Sequence, residues 1–281
     1  MPGTLYVVAT PIGNLGDLSP RAAQVLRQVK AVVAEDTRHT LRLYAHLGSP
    51  APRMLSLPAF DERGRIAAVV ARLAGGEEIA LCTDAGTPAV SDPGQQLVAA
   101  AWRAGARVVP IPGPCAAVAA LVASGLRSDR FLVLGFLPRR GGARAEMLEL
   151  LARLPATAVL YEAGNRTGET LGDLLRALGE RRAAVARELT KVHEEIALGT
   201  LAELAARFAG GARGEVTLVV EGVAASGAGA PARGGEEPLE AELARRIAAG
   251  EAPSAISRAV ARERGLKRAD VYSALERLKR G

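Results

Sequence analysis

Ile79-Ala80-Leu81-Cys82-Thr83-Asp84-Ala85-Gly86-Thr87-Pro88, followed closely by Ser91-Asp92-Pro93-Gly94, is the stretch whose reading decides the fold. Its first four residues form an apolar run short enough to be a buried strand, and the prolines and glycines behind them forbid the strand from continuing. The segment reads as a strand emptying into a tight loop. Glycine has no Cβ, so such a loop can bring backbone N–H and C=O groups against a bound molecule. One loop of this kind is equally compatible with a plain strand-to-helix connection, so the flanking sequence has to decide.

The device repeats. Leu5 to Ala9 ends in Thr10-Pro11-Ile12-Gly13-Asn14-Leu15-Gly16-Asp17, Ala31 to Ala34 in Glu35-Asp36-Thr37-Arg38-His39-Thr40, and Val108 to Ile111 in Pro112-Gly113-Pro114. Segments of helical period separate these runs. Ser19-Pro20 supplies an N-cap and a first-turn proline ahead of the stripe Ala22, Ala23, Val25, Leu26, Val29. Ile66 to Leu73 stops at Gly75-Gly76, and Gln95 to Arg103 stops at Gly105. Strand and helix alternating in this way predict right-handed crossovers and a parallel sheet, with ligands beyond the carboxyl ends of the strands. Every one of these turn motifs falls at that end.

A helix from Ala116 to Val122 leads into a second set of elements. Strands are predicted at Phe131 to Phe136, Ala158 to Tyr161, Ala183 to Ala186 and Glu215 to Glu221, and helices at Ala145 to Leu154, Glu169 to Leu178 and from a Thr200 cap to Phe208. The expected fold class is α/β: two α/β domains, 1–114 and 115–222, with a ligand cleft between them. Residues 223–237 are a linker by composition, and 238–281 hold three helical patterns, a small helix-turn-helix-like module or a helical appendage.

Composition narrows the function classes. Of 281 residues 49% are hydrophobic and 23% charged, and no apolar run is long enough to cross a bilayer, so a membrane role is not expected and a cytoplasmic location is. Cys82 and Cys115 cannot build a disulfide framework and lack metal-ligand spacing, so no metal is expected. The net charge of +6 favours an anionic partner, and the tail carries ten basic residues against six acids, a net of 10 − 6 = +4.

Taken together and in order, Thr10 to Asp17, Ala34 to Thr40, Thr83 to Pro88, Val109 to Ala117, Gly135-Phe136-Leu137-Pro138, Tyr161-Glu162, Ala186 to Lys191 and Gly214-Glu215 resemble the tetrapyrrole methylase superfamily of S-adenosylmethionine-dependent methyltransferases. The resemblance spans residues 4–222 and is strongest to the branch that methylates the 2′-oxygen of a cytidine ribose in 16S rRNA. The chain departs from it at Leu55 to Glu62, in place of a run bearing histidine and asparagine, and at Asn165, in place of a histidine before Arg166. The resemblance implies a homodimer with S-adenosylmethionine in each interdomain cleft, acting on 16S rRNA or the assembling small ribosomal subunit. Methylation of a corrin precursor and non-catalytic RNA binding are the alternatives.

Turns of this kind can hold an adenosine and a methionine tail, and the expected cofactor set is Pro11, Gly13, Asp84, Ala85, Gly86, Pro112, Gly113, Ala116, Ala186 and Leu189. Asp84 would meet the methionine ammonium or the sulfonium charge, or else cap its own turn. Transfer to a hydroxyl demands alignment of the reacting atoms and gains from a general base. Asp36, His39 and Glu188 are the candidates, Asp36 slightly favoured, although Glu35 and Asp36 could instead be ion-pair partners of Arg38 or Arg187. Arg38, Arg139, Arg140, Arg144 and Arg166 are expected phosphate or RNA contacts, and Phe60, Phe136 and Tyr161 the aromatic residues available for base stacking.

Overall fold

The computed structural model describes residues 2–57, 62–223, 239–249, 251–264, 266 and 268–280. The linker beyond Val223, Phe60 and part of the departure at Leu55 to Glu62 lie outside the described residues. Residues 1–222 form one compact unit and 223–281 another.

The first sheet joins β1 (Thr4–Val8), β2 (Ala31–Ala34), β3 (Arg53–Ser56), β4 (Ile79–Cys82) and β5 (Arg107–Ile111) in the order β3-β2-β4-β1-β5. All its pairings are parallel. Every residue of β2 and β4 is buried, because helices cover both faces of a parallel sheet and leave no wet side for polar alternation. Helices α1 (Pro20–Gln28) and α2 (Thr37–Leu47) cover one face through Leu26, Leu43 and Tyr44, and α3 (Glu62–Ala74) and α4 (Gln95–Arg103) the other through Leu73, Leu97 and Ala101. Ser19 caps α1 by accepting from the Ala22 N–H at 3.1 Å.

The second sheet is mixed. It joins β6 (Phe131–Phe136), β7 (Thr157–Ala163), β8 (Arg182–Arg187), β9 (Glu195–Thr200) and β10 (Glu215–Val220) in the order β6-β7-β10-β8-β9. Only β6 and β7 pair in parallel; β10 runs antiparallel between β7 and β8. Helix α5 (Ala116–Ser124) lies on one face, and α6 (Gly142–Arg153), α7 (Thr167–Leu178) and α8 (Leu201–Arg207) on the other.

Two strands, β3 and β9, were not expected. Both are edge strands, and their residues Arg-Met-Leu-Ser and Glu-Ile-Ala-Leu-Gly-Thr carry too little apolar alternation to announce a strand without a neighbour to pair with.

Within the second unit, α9 (Leu239–Ala248), α10 (Pro253–Arg264) and α11 (Arg268–Arg280) pack around Leu243, Ile256, Val260, Val271 and Leu275. Glu242 is buried there and pairs with Arg246 at 3.0 Å and with Arg264.

Candidate functional site

The loops that leave the carboxyl ends of β1, β2, β4 and β5 are tied to one another by specific bonds. Thr10 and Gly86 exchange backbone hydrogen bonds of 2.8 and 3.1 Å, and the Thr10 hydroxyl donates to the Thr83 carbonyl at 3.1 Å. The Asp36 N–H donates to Asp84 Oδ1 at 3.1 Å, and the Thr87 hydroxyl donates to the Pro114 carbonyl at 3.1 Å. Gly86 holds φ at +89°, a value only glycine adopts without strain.

These loops form one wall of a cavity of about 740 Å³, within the range of small-molecule sites. Ile12, Glu35, Asp84 to Thr87, Val90 to Asp92, Cys115 and Ala116 line that wall. The opposite wall comes from the second sheet: Phe136 of β6, Tyr161 to Asn165 at the end of β7, Ala186 of β8, Leu189, Ala212, and Gly214 to Thr217. The rings of Phe136 and Tyr161 stand 5.7 Å apart at 52°.

The lining chemistry is one-sided. Glu35, Asp84, Asp92, Glu162 and Glu215 bring carboxyl groups to the cavity, and no Lys, Arg or His is among the described lining residues. Glu162 and Glu215 are matched by Arg166 at 3.6 Å and Lys191 at 2.9 Å, which leaves Glu35, Asp84 and Asp92 as the lining acids with no Lys or Arg ion pair among the described residues, a set suited to a cationic ligand. Glu162 is 2% exposed and satisfied: Oε2 accepts from Thr170 at 2.6 Å, Oε1 accepts from the Ala163 N–H at 2.9 Å, and Arg166 lies 3.6 Å away. Glu35 Oε2 accepts from the Thr83 hydroxyl at 3.1 Å, and burial pushes its carboxyl above the usual range. Burial also pushes Asp92 up, to about 6, helped by the charges of Glu35 and Asp84 and opposed by the Thr83 hydroxyl.

Of the expected cofactor residues, Asp84, Ala85, Gly86, Ala116, Ala186 and Leu189 line the cavity, and Pro11, Gly13, Pro112 and Gly113 do not. Gly13 has a different use. A Cβ there would come within 2.5 Å of Lys191 Cγ and 3.0 Å of the Leu189 carbonyl, so the missing side chain lets the β1 loop close on the loop after β8.

Of the expected base candidates, Asp36 and Glu188 are engaged by neighbouring cations. Asp36 is the N-cap of α2, accepting from the Arg38 N–H at 2.9 Å while Arg38 grips both carboxylate oxygens, and these bonds hold its carboxyl far below the usual range. That ion pair is the alternative the sequence allowed. Glu188 takes Lys191 Nζ at 2.9 Å and the Glu215 N–H at 3.3 Å, which lowers its carboxyl too, and it stands outside the cavity lining. A proton acceptor whose charged form is so stabilised is a weak base. His39 Nδ1 lies 3.6 Å from Asp84 Oδ2. Ligand atoms of Asp36, His39 and Asp84 come within 4.8 Å of one another, but Arg38 and the Asp36 N–H already engage the two carboxylates.

Among the proposed RNA contacts, Arg139 and Arg140 are exposed on the turn after β6, and the Arg38 side chain is 84% exposed beside Asp36. Arg144 is not a surface residue. It is 6% exposed and donates to Asp173 at 2.7 Å, the Pro138 carbonyl at 2.9 Å and Thr170 at 3.2 Å, so no phosphate can reach it. Arg166 is largely covered and held near Glu162.

Glu35, Asp92, Tyr161, Glu162 and the Gly214 to Thr217 segment were missed as cavity residues. Asp92 sat in plain view in Ser91-Asp92-Pro93-Gly94. Asp36 could have been separated from Glu35 by its place as an Asp N-cap ahead of the helix Thr37–Leu47.

Residues 4–205 match the model of the tetrapyrrole (corrin/porphyrin) methylases. A ribosomal RNA small subunit methyltransferase I from Xylella fastidiosa (strain Temecula1) is 51% identical over 227 residues, covering 79% of this chain and 83% of its own. The protein of the same name from Synechocystis is 45% identical over 272 residues, 96% of each chain. In fold, the chain resembles a uroporphyrin-III C-methyltransferase from Thermus thermophilus solved with S-adenosylhomocysteine, with a TM-score of 0.56 at 21% identity over 78% of this chain and 97% of that one. Diphthine synthase superposes with a TM-score of 0.62 at 17% identity, covering 78% and 90%. A parallel sheet and a mixed sheet enclosing an acid-lined cavity, in a chain this close to those relatives, make it a member of the tetrapyrrole (corrin/porphyrin) methylase family, in the group named ribosomal RNA small subunit methyltransferase I.

Proposed function

We propose that this protein is an S-adenosylmethionine-dependent methyltransferase that methylates the 2′-oxygen of a cytidine ribose in 16S rRNA. The observation that carries the reading is the cavity: about 740 Å³, lined by five carboxyl-bearing residues, and set at the carboxyl ends of a parallel sheet. That donor set fits S-adenosylmethionine, which has a sulfonium and an ammonium to be matched by acids. When bound, it supplies an electrophilic methyl group.

The chain's own residues do the remaining work. Asp84 Oδ1 accepts from the Asp36 N–H while Oδ2, 3.6 Å from His39 Nδ1, can meet a cationic group, Ala85 and Gly86 offer backbone at close range, and Ala116, Ala186 and Leu189 give apolar contact. Phe136, 58% exposed beside Tyr161, offers a face on which a base could stack at the cavity mouth. Arg139 and Arg140 follow on the same turn and are suited to phosphate.

Mass spectrometry of rRNA nucleosides after incubation with small subunits and labelled donor tests the reading. 2′-O-methylcytidine is expected; label only in a base, or only in a corrin precursor offered in its place, would overturn it. A homodimer in the cytoplasm belongs to the same proposal. Val118 and Val122, one turn apart and exposed on α5, support it as a self-complementary apolar contact, and Val122→Lys should shift the sedimentation coefficient to that of a monomer.

A further inference from the structure

A second cleft, of about 250 Å³, opens beside the cavity at the same end of the second sheet. Arg187, Glu195, Arg207, Phe208 and Arg213 line it, and Ala212 lines both the cleft and the cavity. The two neighbours differ in charge. Acids dominate the cavity wall, whereas in the cleft three arginines meet one glutamate, a net of 3 − 1 = +2.

The cations of the cleft are fixed by the fold. Arg187, the last residue of β8, stands opposite Glu195, the first of β9, in the antiparallel register. Its Nε donates to Glu195 Oε2, and Arg207, the last residue of α8, donates from Nη2 to Oε1 at 2.5 Å. One carboxylate thus orients two guanidinium groups through one nitrogen of each, and their other N–H groups stay open to a ligand. The Arg207 guanidinium also lies over the Phe208 ring, 5.6 Å from its centroid. Arg213 is exposed and forms no hydrogen bond or ion pair among the described residues. Its backbone is nonetheless held: Gly211 and Gly214 both keep φ at +81°, the Ala212 N–H donates to the Gly164 carbonyl at 2.7 Å, and the Gly164 N–H donates to the Gly214 carbonyl at 3.1 Å. The turn is clamped to the segment after β7 that lines the cavity, so Arg213 is placed relative to the site before anything binds.

We propose that this cleft is a phosphate subsite for the RNA strand, in which Arg187, Arg207 and Arg213 hold a backbone phosphate beside the nucleotide whose ribose enters the cavity. The proposal rests on the rRNA methylation reading above. An acid-lined cavity repels phosphate, so the phosphates of a bound strand are met outside it, and the surface at Ala212 leads directly from one to the other. Guanidinium forks match phosphate oxygens in pairs, and a singly charged phosphodiester fits a cleft with a surplus of two positive charges. Arg144 and Arg166, drawn into the fold by Asp173 and Glu162, cannot take that part.

The test uses full-length enzyme with Arg213→Gln, the double variant Arg207→Gln/Arg213→Gln, and Arg103→Gln, which removes an exposed arginine on α4 as a control for overall charge. Methyl transfer to small ribosomal subunits gives KM and kcat, filter binding of the subunits over a salt series gives the slope, and calorimetry gives S-adenosylhomocysteine affinity. The double variant should raise KM about 10-fold or more with kcat and S-adenosylhomocysteine affinity at parent values. Its slope of log affinity against log salt should flatten by about 0.7 to 0.9, one phosphate contact, with Arg213→Gln moving part of the way and Arg103→Gln not at all. Parent KM and slope in the double variant would overturn the proposal. So would an equal change in Arg103→Gln, which would reduce the effect to net charge, or a fall in S-adenosylhomocysteine affinity in step with KM, which would assign the cleft to the donor. A parent enzyme that methylates no rRNA would refute the functional reading itself, and is distinguishable from an active parent matched by an equally active double variant.

Discussion

Replacing Arg144 by methionine separates a structural arginine from an RNA-binding one. The side chain is 6% exposed and feeds three acceptors, and Asp173, its ion-pair partner, is itself largely covered. Removing one member of a buried pair costs about 3 to 5 kcal/mol, because the other charge is left without its partner. Asp173 also binds Arg176, so the loss should fall at the lower end, about 3 kcal/mol. For a unit of this size each kcal/mol moves the midpoint by about 2 to 4 °C, which gives a fall of roughly 6 to 12 °C. Scanning calorimetry measures it, and filter binding of rRNA over a salt series measures the alternative. The double variant Arg144→Met/Asp173→Leu should regain part of the loss, since no buried charge is then stranded. An unchanged midpoint together with RNA affinity that falls and loses salt dependence would refute the argument.

Asp84→Ala removes a charge and the acceptor of the Asp36 N–H. It should weaken S-adenosylhomocysteine binding by about 1.5 to 3 kcal/mol, roughly 10- to 150-fold, and an unchanged isotherm would show that Asp84 does not hold the donor. Asp92 also has a stability signature. Its folded-state value, about 6, lies above the usual 3.8, so the folded protein binds the proton more tightly than the unfolded chain and loses stability as pH rises between those values. Asp92→Asn should therefore melt higher than the parent at neutral pH and equally below pH ~3.8, as thermal scans across the range would reveal. Truncation after Val223 removes the basic tail and should leave S-adenosylhomocysteine binding intact while flattening the salt dependence of RNA affinity. A truncated protein with the parent salt slope would deny the tail any contact with phosphate.

Much of the fold was legible because its signals are local. Ala31 to Ala34 and Ile79 to Cys82 are apolar at every position, and the glycines and prolines behind the strands stop them wherever they pair. The edge strands β3 and β9 were illegible for the converse reason: pairing with β2 and β8, not their own composition, makes them strands. At the site, Asp84, Ala85 and Gly86 were readable from the turn itself, whereas Gly13 proved to be a contact between loops nearly 180 residues apart in the chain.

What the sequence by itself determined is every strand but β3 and β9, the loops at the carboxyl ends of the first sheet and, through the collinear motifs, the family. Only the tertiary structure decided what each charged residue does. Glu35 and Asp36 are adjacent in sequence, yet one faces the cavity and the other caps α2 under Arg38. Arg144 and Arg140 are close neighbours, yet one is buried against Asp173 and the other exposed. A charge takes its energy from the water it loses and the partners it gains, and both are set by groups distant in the chain. The opening stretch shows both sides: Asp84-Ala85-Gly86 could be read from its own residues, while the place of Asp92 in the cavity wall required the second sheet opposite it.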